Sequence, residues 1–116
     1  MAHPVPTLGM RIEADGATLA YTADTGPSPV IVELARGADL LLSDATWQDD
    51  GREHPEDLHL RAGEAGRFAE QAGVGKLVLS HIRPGLDRDR SRQEAALAFS
   101  GAVLPAQEGL VLEVKG

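Results

Sequence analysis

Short apolar runs separated by breaker residues organise this chain. Gly9 to Ala14 and Ala17 to Thr22 read as two strands flanking Asp15-Gly16, a pair that signals a hairpin turn. The second strand runs straight into Asp24-Thr25-Gly26, after which Pro27 and Pro29 mark a turn. Ser28 is placed to cap a short helix that has Pro29 at its first position and runs through Arg36 to a stop at Gly37. Ala38 to Ser43 (ADLLLS) is almost continuously apolar, as expected of a buried strand. Trp47 to Leu58 is polar and irregular and reads as a loop. Ala62 to Ala72 puts Ala65, Phe68, Ala69 and Ala72 on one helical face, with Gly73 as its stop. Lys76 to Ser80 (KLVLS) is a second buried strand and ends at His81, before Pro84-Gly85 breaks the chain. Ser91 to Ser100 reads as a helix carrying Ala95, Leu97, Ala98 and Phe99. Ala102 to Leu104 and Leu110 to Val114 read as closing strands. Strand–helix alternation of this kind indicates an α/β domain.

Composition narrows the picture. The 116 residues suit one domain large enough to bury a core, and 42% of them are apolar. That core is aliphatic, because the aromatic residues are only Tyr21, Trp47, Phe68 and Phe99. A net charge of −7 argues against non-specific nucleic-acid binding, which depends on lysine and arginine. With no cysteine, disulfide frameworks, thiolate zinc sites and cysteine nucleophiles are excluded. No apolar stretch approaches membrane-spanning length and the first residues do not read as a signal peptide, so a cytoplasmic protein without membrane contact is expected.

Candidate chemistry gathers where strands end. Asp24 directly follows a strand; it suits a turn, and it also suits a carboxylate presented to one or two metal ions. His81 follows the most apolar strand, where it would satisfy a backbone group or ligate a metal through a neutral ring nitrogen. His3 sits near the amino end, with Pro4-Val5-Pro6 imposing an extended path toward Gly9. His59 lies between the polar loop and a helix start, a suitable place for acid–base work. His54, beside Glu53 and Pro55, reads as solvated surface. Asp44 ends the ADLLLS strand, either as a turn aspartate or as a carboxylate that holds a histidine ring in one tautomer. Arg83, Arg88, Arg90 and Arg92 are interleaved with Asp87 and Asp89 and read as a self-neutralising solvated segment.

The ordered set of words resembles the C-terminal half of a metallo-β-lactamase-fold hydrolase, in the branch of ribonuclease Z and the atypical class II cyclic-nucleotide phosphodiesterases. The words are His3-Pro4, Gly9-Met10-Arg11-Ile12, Tyr21-Thr22-Ala23-Asp24-Thr25-Gly26, Ala38 through Trp47, His59-Leu60 ahead of Glu64-Ala65-Gly66, and Leu77 through Ile82. The implied fold is half of an αββα sandwich, a mixed sheet with helices on one face, spanning 1–116. The resemblance makes His3 a ligand of a first metal, Asp24 the carboxylate bridging two metals and His81 a ligand of the second. His59 becomes the non-ligand histidine that protonates the leaving oxygen, with Asp44 orienting it. The implied cofactors are two divalent ions, zinc or else manganese or iron. The implied substrates are a cyclic nucleotide, an RNA end or another phosphodiester, although thioester and other ester hydrolyses are run on the same fold.

This sequence departs from the family at three positions: Ala23 stands where glycine is usual, Asp44 where glutamate is usual, and Arg61 where serine or threonine precedes Glu64. The last removes the side-chain half of a capping box. The family's His-x-His-x-Asp-His motif is absent from this sequence. Three metal-ligand side chains for two metals are too few for tight binding, so the chain alone is expected to be inactive. A gene fragment, one chain of a split hydrolase joined by an N-terminal half, and a non-catalytic interaction module all fit that expectation. A half-sandwich exposes an apolar sheet face, so self-association is expected.

Overall fold

The computed structural model describes residues 9–22, 30–46, 60–80, 82 and 87–106. Five strands form one sheet in chain order: β1 (Met10–Ala14), β2 (Ala17–Tyr21), β3 (Leu40–Asp44), β4 (Lys76–Ser80) and β5 (Ala102–Pro105). β1 and β2 are antiparallel, and every later neighbour pair is parallel. Parallel neighbours need a crossover, and each crossover holds one helix: α1 (Val30–Ala35), α2 (Ala62–Ala72) and α3 (Arg88–Ala96). The result is the mixed sheet of an α/β domain that the sequence pattern predicts. Among the described residues no helix is long and apolar enough to cross a membrane.

Pairing register sorts the side chains into two faces. Ala20, Leu41, Leu77 and Val103 form one row across β2 to β5. They share a buried cluster with Ile31, Ala35, Ala65, Ala69 and Ala95 from the three helices and with Phe99. The next row, Met10, Tyr21, Leu42, Val78 and Leu104, crosses all five strands. It faces the other way, because successive strand residues alternate. On that second face Val78 and Leu40 are buried, while Met10 and Ile12 are 53% and 50% exposed.

Local chemistry sets the element ends. Asp15 (φ 52°) and Gly16 (φ 77°) both adopt the left-handed conformation that a tight two-residue hairpin needs. α1 is only six residues long, too short to stand alone. Arg11 Nη1 supports it by donating to the carbonyl oxygens of Leu34 (2.9 Å) and Arg36 (3.0 Å) at its end. α2 spans the residues expected, and Gly73 (φ 71°) ends it by donating to the Ala69 carbonyl. At its start the Arg61 N–H donates to Glu64 Oε1 at 2.9 Å. Only that half of the capping box exists, since a guanidinium has no acceptor.

Three expected boundaries move by two residues or more. β3 begins at Leu40, because Asp39 is engaged in pinning the entry: its Oδ2 accepts the Thr18 N–H at 2.7 Å. α3 begins three residues before Ser91, inside the segment expected to be merely solvated. Asp87 caps it, accepting the Asp89 N–H at 2.9 Å. Arg90–Glu94 and Arg92–Asp89 ion pairs then lie along the helix, at 3.0 Å each, so the charges there do neutralise one another. The helix ends before the expected Ser100, with Leu97 90% exposed and Phe99 folded back into the core. The Ser28 cap, the loop at 47–58 and the strand at 110–114 lie outside the described residues.

Candidate functional site at the carboxyl ends of the strands

In parallel α/β sheets, ligands bind beyond the carboxyl ends of the strands, because loops from several crossovers meet there. Here β2, β3, β4 and β5 all end on one edge, and the antiparallel β1 begins on it. β2 is described through Thr22, two residues before Asp24. β4 ends at Ser80, directly before His81.

Hydrogen bonds tie these ends together. The Thr22 N–H donates to the Leu42 carbonyl at 3.0 Å. Its Oγ1 then accepts the Asp44 N–H at 2.9 Å. The hydroxyl thus extends the β2–β3 pairing one rung past the last backbone pair. On the opposite side of β3, Ser80 Oγ donates to the Ser43 carbonyl (3.0 Å) and the Ala45 N–H donates to the Ser80 carbonyl (2.9 Å).

Asp44 is the centre of this network and only 1% exposed, with Thr22, Ser43 and Thr46 also buried. Its Oδ1 accepts the Thr46 N–H at 3.0 Å and the Thr46 hydroxyl at 2.9 Å. A carboxylate bonded to the backbone two residues on closes a turn, and this one ends β3. Such burial is tolerated because the polar groups find partners inside the protein. The turn role of Asp44 is therefore observed directly. Its partnership with His59 is a separate matter, because His59 lies outside the described residues, as do His3, Asp24 and His81. Leu60, next to His59, is fully buried at the approach to α2.

Among the described residues no group of three or more histidine, cysteine or acidic side chains could hold a metal ion. The chemistry of the expected donors still suits one. Two imidazoles and a carboxylate are ligands that zinc, manganese and iron all accept. Sequence reasoning passed over the threonines. Thr22-x-Asp24 and Asp44-x-Thr46 place a hydroxyl two residues from each strand-end aspartate, and that spacing was the available signal.

The profile of the beta-lactamase superfamily domain matches residues 1–82, and the chain belongs to that family. Its fold is the metallo-β-lactamase fold of a hydrolase family that uses divalent metal. An uncharacterized protein of Mycobacterium tuberculosis is 47% identical over 104 residues, covering 89% of this chain and 38% of that protein. The probable metallo-hydrolase YhfI of Bacillus subtilis is 36% identical over 111 residues, 96% of this chain and 45% of YhfI. The crystal structure of YhfI superposes with a TM-score of 0.87 over 93% of this chain and 44% of its own. Ribonuclease Z of Halorubrum lacusprofundi is 42% identical over 102 residues, 85% of this chain and 33% of that enzyme. The chain thus spans between 33% and 45% of the length of these relatives.

Proposed function

We propose that this chain is the C-terminal half of a metal-dependent phosphodiesterase, acting on a cyclic nucleotide or an RNA end once the other half is supplied. One observation carries the reading. The ends of β2, β3 and β4 are cross-tied at a single edge, and Asp24 and His81 follow closely in sequence after the first and last of them. Two named relatives, a probable metallo-hydrolase and a ribonuclease Z, support the chemistry.

In this reading His3, Asp24 and His81 are the chain's ligands to zinc, manganese or iron. Three side chains for two ions leave each short of the roughly four ligands zinc prefers. The remaining ligands would come from a His-x-His-x-Asp-His segment. When bound, such metals acidify a water and neutralise charge on the phosphoryl oxygens. The chain's own acid–base work falls to His59, which gives its proton to the leaving oxygen. Asp44 holds that ring and stabilises its protonated form.

The test is metal analysis with hydrolysis of bis(p-nitrophenyl) phosphate. The purified chain with added zinc or manganese should show no turnover and no stoichiometric metal. Joined to or mixed with a segment bearing the His-x-His-x-Asp-His motif, it should gain both. Turnover by the chain alone would overturn the half-site reading. If no added half restores metal or turnover, a gene fragment or a non-catalytic interaction module is what remains. The exposed Met10 and Ile12 on its second sheet face are what a half-sandwich presents under either reading.

A further inference from the structure

We propose that Thr22 and Thr46 are positioning residues of this edge, together holding the Asp44 carboxylate in one orientation relative to the end of β2. The inference rests on the reading of Asp44 as the group behind His59, and adds two residues to that site.

Asp44 is fixed twice, by different residues. Its backbone is held by a side chain from another strand, through the 2.9 Å bond from its N–H to Thr22 Oγ1. Its side chain is held by Thr46, which directs both an N–H and a hydroxyl at the same oxygen, Oδ1. Two donors from one residue onto one oxygen select a single χ1 and a single tilt of the carboxylate plane. Both threonines are buried, at 0% and 6% exposure, where these bonds are stronger than in water. A space-filling role would be met by valine, which has the same shape. Valine at 22 removes the acceptor of the Asp44 N–H, and valine at 46 removes one of the two donors to Oδ1. Thr22 also stands two residues before Asp24. One hydroxyl therefore anchors both the strand end that leads to the metal carboxylate and the aspartate that serves the acid–base histidine.

The experiment is NMR on the metal-free 116-residue chain, reading amide exchange at Asp44 and Leu77 and the three-bond couplings that report the Asp44 χ1. Thr22→Val should speed exchange at Asp44 on the order of tenfold, the loss of one net hydrogen bond. Leu77, in the sheet centre, should stay within about twofold, because it opens with the whole domain. Thr22→Ser should restore the Asp44 rate. Thr46→Val should convert a single Asp44 rotamer into an average, and Thr46→Ser should restore it. Unchanged exchange and rotamer in the valine variants would overturn the proposal. Equal acceleration at Asp44 and Leu77 would also overturn it, since that marks a role in global stability alone. If a valine variant fails to fold, the matching serine variant decides, because an averaged Asp44 in a folded serine variant sinks the idea. No turnover enters this measurement, so its failure is distinct from failure of the phosphodiesterase reading.

Discussion

Gly66→Ala probes how the helical layer is fastened together. Gly66 lies on the buried side of α2, where α3 crosses it. A methyl group added there would come within 3.0 Å of the Ala95 backbone carbon and Cα, and closer still to the Ala95 carbonyl oxygen. These are main-chain atoms of a helix, so relief requires moving α3 bodily rather than turning a side chain. Overpacking of a tight core costs about 1–3 kcal/mol, and a backbone obstacle belongs near the top of that range. Alanine in place of glycine inside a helix returns about 1 kcal/mol. The net expectation is a loss of about 1–2 kcal/mol. For a domain of this size that lowers Tm by about 4–10 °C. Thermal melts followed by circular dichroism, with urea unfolding alongside, measure it. Gln71→Ala, at an exposed site on the same helix, should stay within about 0.5 kcal/mol of the parent. Adding Ala95→Gly to Gly66→Ala should not rescue stability, because the obstacle is the carbonyl and not the alanine methyl. A Gly66→Ala protein as stable as the parent, or rescue by Ala95→Gly, would refute the close-approach argument.

The acid response and the association state give two further tests. Glu70 Oε1 accepts the Ser100 N–H (2.8 Å) and the Ser100 hydroxyl (2.9 Å), and these bonds hold its carboxyl below the ordinary value of 4.5. A lowered folded value means stability that is present above 4.5 and lost as pH falls through that lowered value. Glu70→Gln should therefore melt below the parent at neutral pH and converge with it in acid; a constant gap at all pH values would count against the ion's role. The second sheet face predicts self-association of the chain by light scattering, shifted toward monomer by Met10→Ser with Ile12→Ser. A parent that is monomeric at high concentration would remove the argument from that face.

Much of the architecture was legible along the chain because it is local. Asp15-Gly16 dictates a hairpin by its tolerance of positive φ, and the structure has that turn. KLVLS and most of ADLLLS read as buried strands, because strands covered on both faces lose their alternation. The start of α3 was not legible as a helix: Arg88 to Arg90 are fully polar, so no apolar period marks them. What starts the helix is the Asp87 side chain closing on the Asp89 N–H, a bond that composition does not announce.

The site divides in the same way. Sequence by itself determined the residue types at each strand end, since Asp24, Asp44 and His81 follow apolar runs that can only be strands in a buried sheet. It also determined the family, because those words occur in a fixed order. Only the tertiary structure decided that the β2, β3 and β4 ends share one edge, since pairing register depends on partners at least 20 residues apart. It alone decided that Thr22 caps the ladder to Asp44 and that Thr46 takes Oδ1. A hydroxyl has no hydrophobic period to betray it, and its partner is fixed only when the strands align.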